Sequence, residues 1–260
     1  MKTLDDIVIS KAIIASYMED LLSCLDVDVA IAGGGPSGLV AARTLAKAGR
    51  SVALFESKLS VGGGMWGGGI MFNKIVVQEA SLRILDEMGI GHKAFEPGYY
   101  VVDSVEATAG LITGAARAGA RIFNCIKAED VYIKGGEVCG LVLNWTAVGK
   151  ADLHVDPITM HARYVIEATG HPLEVVRILV EKNKVRLNTP SGGIEAERSM
   201  WADRAESAIL ENTREIFPGL FVAGMAANAA CGEHRMGPVF GGMLLSGEHA
   251  AKEILARLDG

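Results

Sequence analysis

Apolar residues in this chain come in short unbroken runs, and stretches with apolar positions every three or four residues lie between them. Such an alternation predicts buried parallel strands with helices packed on both faces. The first run, Val27-Asp28-Val29-Ala30-Ile31-Ala32, is fit for a buried strand. A helix is expected from Leu39 to Ala48, then a second strand, Ser51-Val52-Ala53-Leu54-Phe55, closed by Glu56. Ahead of them, residues 4–24 mix acids with Ile, Leu and Met at helical spacing and predict an amphipathic helix, which could cap the sheet or serve a subunit contact. Further on, the pattern predicts a helix over Val77 to Met88, a strand at Tyr99-Tyr100-Val101-Val102, and a helix from Ser104 to Ala118 with Ser104 as its cap and Glu106 in its first turn. Two β-like segments, Ala120 to Tyr132 and Val138 to Trp145, enclose Gly135-Gly136, a hairpin signal. Ala162 to Glu167 returns as a core strand running into Ala168-Thr169-Gly170, and Gly219 to Gly224 is a second strand with a glycine exit. A last helix is expected from Gly241 to Leu258.

Composition narrows the class. The 260 residues suffice for one large α/β domain, and half are apolar, enough for a sizeable core. Of the 32 glycines many gather at 33–38, 62–69, 192–193 and 241–242, which points to backbone approaching a ligand closely rather than to a flexible linker. The formal charge of −6 comes from interspersed acids and bases without a basic stripe, so no nucleic-acid partner is expected. No apolar stretch reaches membrane-spanning length, and Asp5 and Asp6 stand where a secretory signal would carry basic residues. Cys24, Cys125, Cys139 and Cys231 are scattered without a C-x-x-C, as in reduced thiols. A soluble cytoplasmic protein is the expectation.

The first strand runs into Gly33-Gly34-Gly35-Pro36-Ser37-Gly38, a G-x-G-x-x-G. Gly33 permits the tight turn, Gly35 lets backbone approach a pyrophosphate, and Gly38 lets the helix pack on the strand. The helix N-terminus, with Ser37, would face the phosphates. Glu56 can accept hydrogen bonds from the 2′- and 3′-hydroxyls of a ribose. With strand, turn, helix and acid all in place, an adenosine-diphosphate ligand is the reading; the bland rival is a glycine turn that binds nothing. Val61 to Gly69 (VGGGMWGGG) has few side chains to pin it and reads as a loop over the ligand, with Met65-Trp66 either closing on it or simply packing.

The order of these parts resembles the two-dinucleotide-binding-domain flavoproteins, whose hallmarks match 33–38, the A-T-G at 168–170 and the L-F-V-A-G at 220–224. The fold class this implies is α/β, a Rossmann-type central parallel sheet with helices and a smaller β-sheet. It forms a single domain over 1–260 with a β-rich lobe inserted at about 120–160. Three further segments are more specific: Leu153-His154-Val155-Asp156-Pro157, Glu167-Ala168-Thr169-Gly170-His171-Pro172, and Gly232-Glu233-His234-Arg235-Met236-Gly237-Pro238 followed by Phe240-Gly241-Gly242-Met243. Together with Glu56-Ser57 and the glycine loop they resemble the thiamine thiazole synthases.

That resemblance implies an enzyme that binds NAD in the flavin site and consumes it. Nicotinamide leaves, the opened ribose condenses with glycine, sulfur enters, and an adenylated thiazole carboxylate forms. The dinucleotide would lie against Gly33, Gly35, Ser37, Gly38, Glu56 and Ser57, with Gly64, Ala128 and Met225 as further contacts. His154, Val155 and Asp156 would touch it from their own motif. The family divides on the source of sulfur. Where the eukaryotic type has a cysteine that gives up its own sulfur, this chain has His154, which resembles the archaeal branch using sulfide and Fe(II) over many turnovers. Asp156 and His171 would be the metal ligands, contributed by adjacent protomers of a homo-octamer, and Arg235 would grip glycine.

Each assignment has a rival on the residues alone. Asp156 could merely start an Asp-Pro turn, and His171 could cap a helix beginning near Pro172. Asp156 and His171 supply one oxygen and one imidazole nitrogen, which suit Fe(II) but also Mn, Co or Zn. Arg235 presents a planar fork suited to a carboxylate, or forms an ion pair with Glu233 or another acid. His154 lines the site as a ligand, a proton shuttle or a simple contact. His92 and His161 read as ordinary surface or turn residues. A flavin-dependent oxidoreductase of the same fold and a non-catalytic NAD-binding protein remain the competing functions. The first shares the turn and Glu56; the second has no need of Asp156, His171 and Arg235 together.

Overall fold

The computed structural model describes residues 3–260. It begins with helix α1 (Asp6–Ser23), strand β1 (Asp26–Ala32), helix α2 (Pro36–Lys47) and strand β2 (Val52–Glu56). A 3-10 turn (Gly63–Gly67) leads to β3 (Lys74–Val77), α3 (Glu79–Asp86), β4 (His92–Glu96), β5 (Tyr99–Asp103) and α4 (Ser104–Ala118). Then come β6 (Arg121–Asn124), β7 (Ile126–Lys134), β8 (Glu137–Trp145), the short α5 (Thr146–Lys150) and the long β9 (Ile158–Glu167). The chain ends with α6 (Glu174–Asn183), α7 (Ala202–Asn212), β10 (Glu215–Phe217), β11 (Leu220–Val222), α8 (Met225–Cys231) and α9 (Gly241–Asp259).

The main sheet runs β10-β11-β9-β1-β2-β6, with β1 parallel to both β2 and β9 and β11 parallel to β9. In β1 the side-chain period of two divides the core. Val29 and Ile31 join Leu39, Leu45, Leu111 and Leu244 on the α2–α4–α9 face. Ala30 and Ala32 join Phe55, Leu143, Val176 and Leu179 on the other. Both faces are covered, which is why these strands read as continuous apolar runs.

Residues 120–160 hold the β7–β8 hairpin. It is joined to the main sheet because β8 pairs antiparallel with the first half of β9, Leu143 opposite Ile158 and Gly140 opposite His161. The separate small sheet lies earlier, in the order β3-β5-β4. Only its β5 stood out in the sequence. β4 is exposed throughout and carries no alternation, and Val77, placed in the α3 helix from sequence, ends β3 instead. The α4 cap is Asp103, whose Oδ1 accepts from the amides of Val105 (2.9 Å) and Glu106 (3.1 Å); Ser104 is buried one residue inside. Helix α1 is capped by Asp5, but only Leu21 of it is buried, and Ile7, Val8, Ile13, Ile14, Met18 and Leu22 are exposed. It meets the sheet core at its C-terminal end, where Leu21 is buried and Tyr17 packs edge-on to Phe123 of β6, and leaves most of its apolar residues uncovered. Among the described residues no helix is long and apolar enough to cross a membrane.

Helix α9 lies against α2 so closely that a Cβ on Gly247 would stand 2.1 Å from the Ser37 carbonyl oxygen. At its start, a Cβ on Gly242 would meet the Glu206 carboxylate at 2.5 Å. Burial against this helix start pushes the Glu206 carboxyl up to about 7, with the Gly242 amide opposing, and its Oε1 has no hydrogen-bond partner. A carboxyl raised in the folded state from its ordinary 4.5 favours folding while protonated. Its contribution is complete below pH 4.5 and is lost as pH rises through about 7. Glu206→Gln is expected to remove that slope. Chemical denaturation across this window should show the variant gaining on the parent by on the order of 2 kcal/mol toward the neutral end.

Candidate active site

The carboxyl ends of β1, β2, β9 and β11 open into one cavity of about 630 Å3, where ligands bind in doubly wound sheets. The glycine turn forms its floor. Gly33 has φ +102°, and a Cβ there would stand 2.4 Å from the Ala168 carbonyl oxygen; a Cβ on Gly38 would lie 2.1 Å from that of Gly33. Gly33, Gly35, Ser37, Glu56, Ser57, Gly64, Ala128 and Met225 all line the cavity. Gly38 does not, because it faces β1 as the packing glycine.

Glu56 is buried, and its carboxylate serves the turn. Oε2 accepts from the Gly34 amide at 2.9 Å and Oε1 from the Lys58 amide at 2.8 Å. Oε1 also accepts from the Ser57 hydroxyl at 3.3 Å, whereas Oε2 retains lone-pair capacity toward a further donor. In the glycine loop Met65 is buried in the core, and the Trp66 indole donates to the Val61 carbonyl at 2.7 Å. Met65 is thus a packing residue. Gly68, Gly69 and Ile70, just beyond, line the cavity mouth.

On the opposite wall Glu167 is fully buried at the end of β9. Its oxygens accept from the amides of Thr169 (2.8 Å), Val175 (2.6 Å) and Val176 (3.2 Å), so one carboxylate fixes both the A-T-G turn and the start of α6. Burial pushes its carboxyl up, and these hydrogen bonds oppose the shift. The turn presents His171 to the cavity. His171 does not cap α6, which begins at Glu174; its Nδ1 lies 2.6 Å from Glu197 Oε1. Arg235 also lines the cavity, with Nε 3.6 Å from Glu197 Oε2. The neighbouring His234 instead bonds the Ser199 carbonyl and packs edge-on to Trp201.

His154, Val155 and Asp156 lie elsewhere. Residues 153–157 form an exposed irregular segment outside the cavity, tethered where the Asn144 side chain donates to the Val155 carbonyl at 3.1 Å. Among the described residues no three His, Cys, Asp or Glu side chains gather as a metal cluster. Lys58, Lys127 and Thr169 line the cavity without having been singled out in the sequence, as does Glu174, while Glu197 braces it from behind. Lys58 follows Glu56-Ser57 and Lys127 precedes Ala128, so proximity was their signal; Glu197 sits in an irregular stretch that offered none.

The model of the Thi4 family matches residues 10–240. The chain belongs to the Thi4 family. It is 58% identical over 255 residues to the thiamine thiazole synthase of Methanothermobacter thermautotrophicus, covering 98% of this chain and 99% of that one. The Pyrococcus furiosus thiamine thiazole synthase is 52% identical, again over 98% and 99%. The crystal structure of Thermovibrio ammonificans THI4 superposes with a TM-score of 0.98 at 53% identity, over 99% of this chain and 100% of that one. A geranylgeranyl bacteriochlorophyll reductase-like protein from Thermoplasma acidophilum shares the fold at a TM-score of 0.58 and 16% identity, over 90% and 79%. The Thi4 chain is thus an α/β protein with a mostly parallel central sheet, as its sequence pattern predicts.

Glu167 offers a direct test of this framework. Glu167→Ala leaves three buried amides without an acceptor, each costing about 1–3 kcal/mol in part relaxed by water. Urea denaturation is expected to show a loss of about 3 kcal/mol or more, and Glu167→Gln, which keeps an acceptor oxygen, a smaller one.

Proposed function

We propose that this chain is a thiamine thiazole synthase that converts NAD, glycine and sulfide into an adenylated thiazole carboxylate, releasing nicotinamide, over many turnovers with Fe(II). The observation that carries the reading is the convergence of a pyrophosphate-type glycine turn, an acid at the end of β2, an imidazole and a guanidinium on one cavity. Its relatives' names supply the reaction class.

In this reading the α2 N-terminus and the open backbone at Gly35 hold the pyrophosphate, and Glu56 accepts from the adenosine ribose. Ser57, Gly64, Ala128 and Met225 wall the dinucleotide. Arg235 takes the glycine carboxylate in its fork, and the Glu197 carboxylate beside it keeps the guanidinium oriented. Glycine is thereby brought to the opened sugar carbon at the His171 end of the cavity.

Within one chain the donor set fits a metal only in part, since His171 is at the cavity and Asp156 is exposed on a different segment. The fit is completed when Asp156 comes from a second copy, bringing His154 and Val155 to the dinucleotide with it. The uncovered apolar residues of α1 support such an assembly, a homo-octamer in this proposal. Fe(II), when bound, supplies Lewis acidity toward carbonyl oxygen and toward sulfide. His154 stands where a sulfur-donating cysteine would be, and the four cysteines lie in other segments. Sulfur therefore comes from solution. The compartment is the cytoplasm.

Two outcomes test this. Glu56→Ala is expected to weaken NAD binding about 10–100-fold, since charge-assisted hydrogen bonds contribute about 1.5–3 kcal/mol. NADP should bind far more weakly than NAD because its 2′-phosphate meets the carboxylate. Equal affinities for NAD and NADP in calorimetry would remove the assignment.

With NAD, glycine, sulfide and Fe(II), the protein is expected to make more than one thiazole per chain without losing mass. Asp156→Ala and His171→Ala should each be inactive yet bind NAD, and mixing the two should restore some activity through hybrid sites. Thiazole made without added sulfide, with conversion of a cysteine to dehydroalanine in the intact-mass spectrum, would overturn the sulfide route.

A further inference from the structure

Glu197 is on an irregular segment, yet its position is fixed from both sides. The Glu195 amide donates to the Ala230 carbonyl at 3.1 Å and the Arg198 amide to that of Glu233 at 3.0 Å. The Arg235 amide returns to the Arg198 carbonyl at 3.3 Å, and that of Trp201 to the Arg235 carbonyl at 3.1 Å. Residues 195–201 and 230–235 are thus laced together, with Ala196 held at φ +64° between them. This lacing sets the Glu197 carboxylate, four-fifths buried, between two side chains of the cavity wall. Oε1 is 2.6 Å from His171 Nδ1, and Oε2 is 3.6 Å from Arg235 Nε.

A carboxylate oxygen accepts, so Nδ1 is the protonated nitrogen of the neutral His171 ring and Nε2 keeps its lone pair. Among the described residues nothing hydrogen-bonds to Nε2. An imidazole fixed in one tautomer by a carboxylate behind it, with its other nitrogen unengaged at a cavity wall, is arranged as a ligand for a divalent cation.

We infer that Glu197 is the positioning residue for His171: it selects the tautomer that offers Nε2 to a divalent cation and holds the ring in place, while its second oxygen steadies Arg235. This rests on the proposed role of His171 as a metal ligand. It adds a residue from a different part of the chain, one that touches neither metal nor substrate.

The test is Co(II) binding to the full-length protein under anaerobic conditions, followed by the visible absorption of the bound ion, with NAD affinity measured alongside. Glu197→Ala is expected to weaken Co(II) binding roughly 10–100-fold and to leave NAD affinity within about twofold, which a general loss of structure would not do. Glu197→Asp should recover part of the loss, and Glu197→Ala placed in a His171→Ala background should add nothing further. If His171→Ala loses Co(II) affinity and Glu197→Ala does not, the positioning role is wrong while the ligand role stands. If His171→Ala itself leaves Co(II) binding unchanged, the ligand role fails and takes the inference with it. Should Glu197→Ala fold poorly, Glu197→Leu decides by the same titration, since it keeps the approximate size and offers no acceptor to Nδ1.

Discussion

Main chain lies directly on main chain where β1, β9, α2 and α9 meet, and the cavity depends on that contact. Gly33 presses on the Ala168 carbonyl, Gly38 on that of Gly33, and Gly247 on that of Ser37. Main-chain atoms cannot step aside by changing rotamer, so each contact excludes a side chain outright, where ordinary overpacking costs about 1–3 kcal/mol. Because the elements close to this distance, the strand ends converge on one point and the loops that leave them must share the space above it.

Carboxylates then give those loops and helix starts a defined shape. Glu56 holds Gly34 and Lys58, Glu167 holds the A-T-G turn and the start of α6, and Asp103 starts α4. In each case backbone amides that would be orphaned at a strand or helix end find a carboxylate acceptor, from the same short stretch at Glu167 and Asp103 and partly from the neighbouring strand at Glu56. The loops become as rigid as the elements they join, which is what a site needs if side chains such as His171 and Arg235 are to hold a fixed separation.

Much of this was legible in the sequence because it is local. The glycine turn, the apolar strands and the last helix each carry their signal within one continuous stretch, and the cavity residues on the strand ends followed from it. The β3-β5-β4 sheet was hidden because β4 is exposed on both faces and has no period of two to detect. The α4 cap was misplaced by one residue because Ser and Asp stand side by side and either can cap; burial of Ser104 decided it. Helices α7 and α8 passed unread in a region whose strand-to-glycine exits drew attention first, and α6 was expected only as a helix beginning near Pro172. Glu197 could not be found at all, since its importance arises from two partners, 26 residues before it and at Arg235 after it. The exposed place of residues 153–157 was equally unreadable, because a motif's spelling does not fix its burial.

Strand β9 does two jobs along one backbone. Its first residues pair with the hairpin, Met160 opposite Leu141, and its last with β1 and β11, Ile166 between Ile31 and Phe221. In its first half Met160 and Ala162 face one core while Thr159, His161 and Arg163 are exposed, and in its last residues Tyr164 and Ile166 face one core and Val165 the other. A residue gained or lost within 158–167 would thus move side chains to the wrong face and rotate the turn that bears Thr169 and His171. The exposed stretch just before it has no such register to keep. Changes of length are therefore tolerated best within 146–157, where the segment at 153–157 can lengthen or shorten while the strand ends that frame the cavity stay as they are.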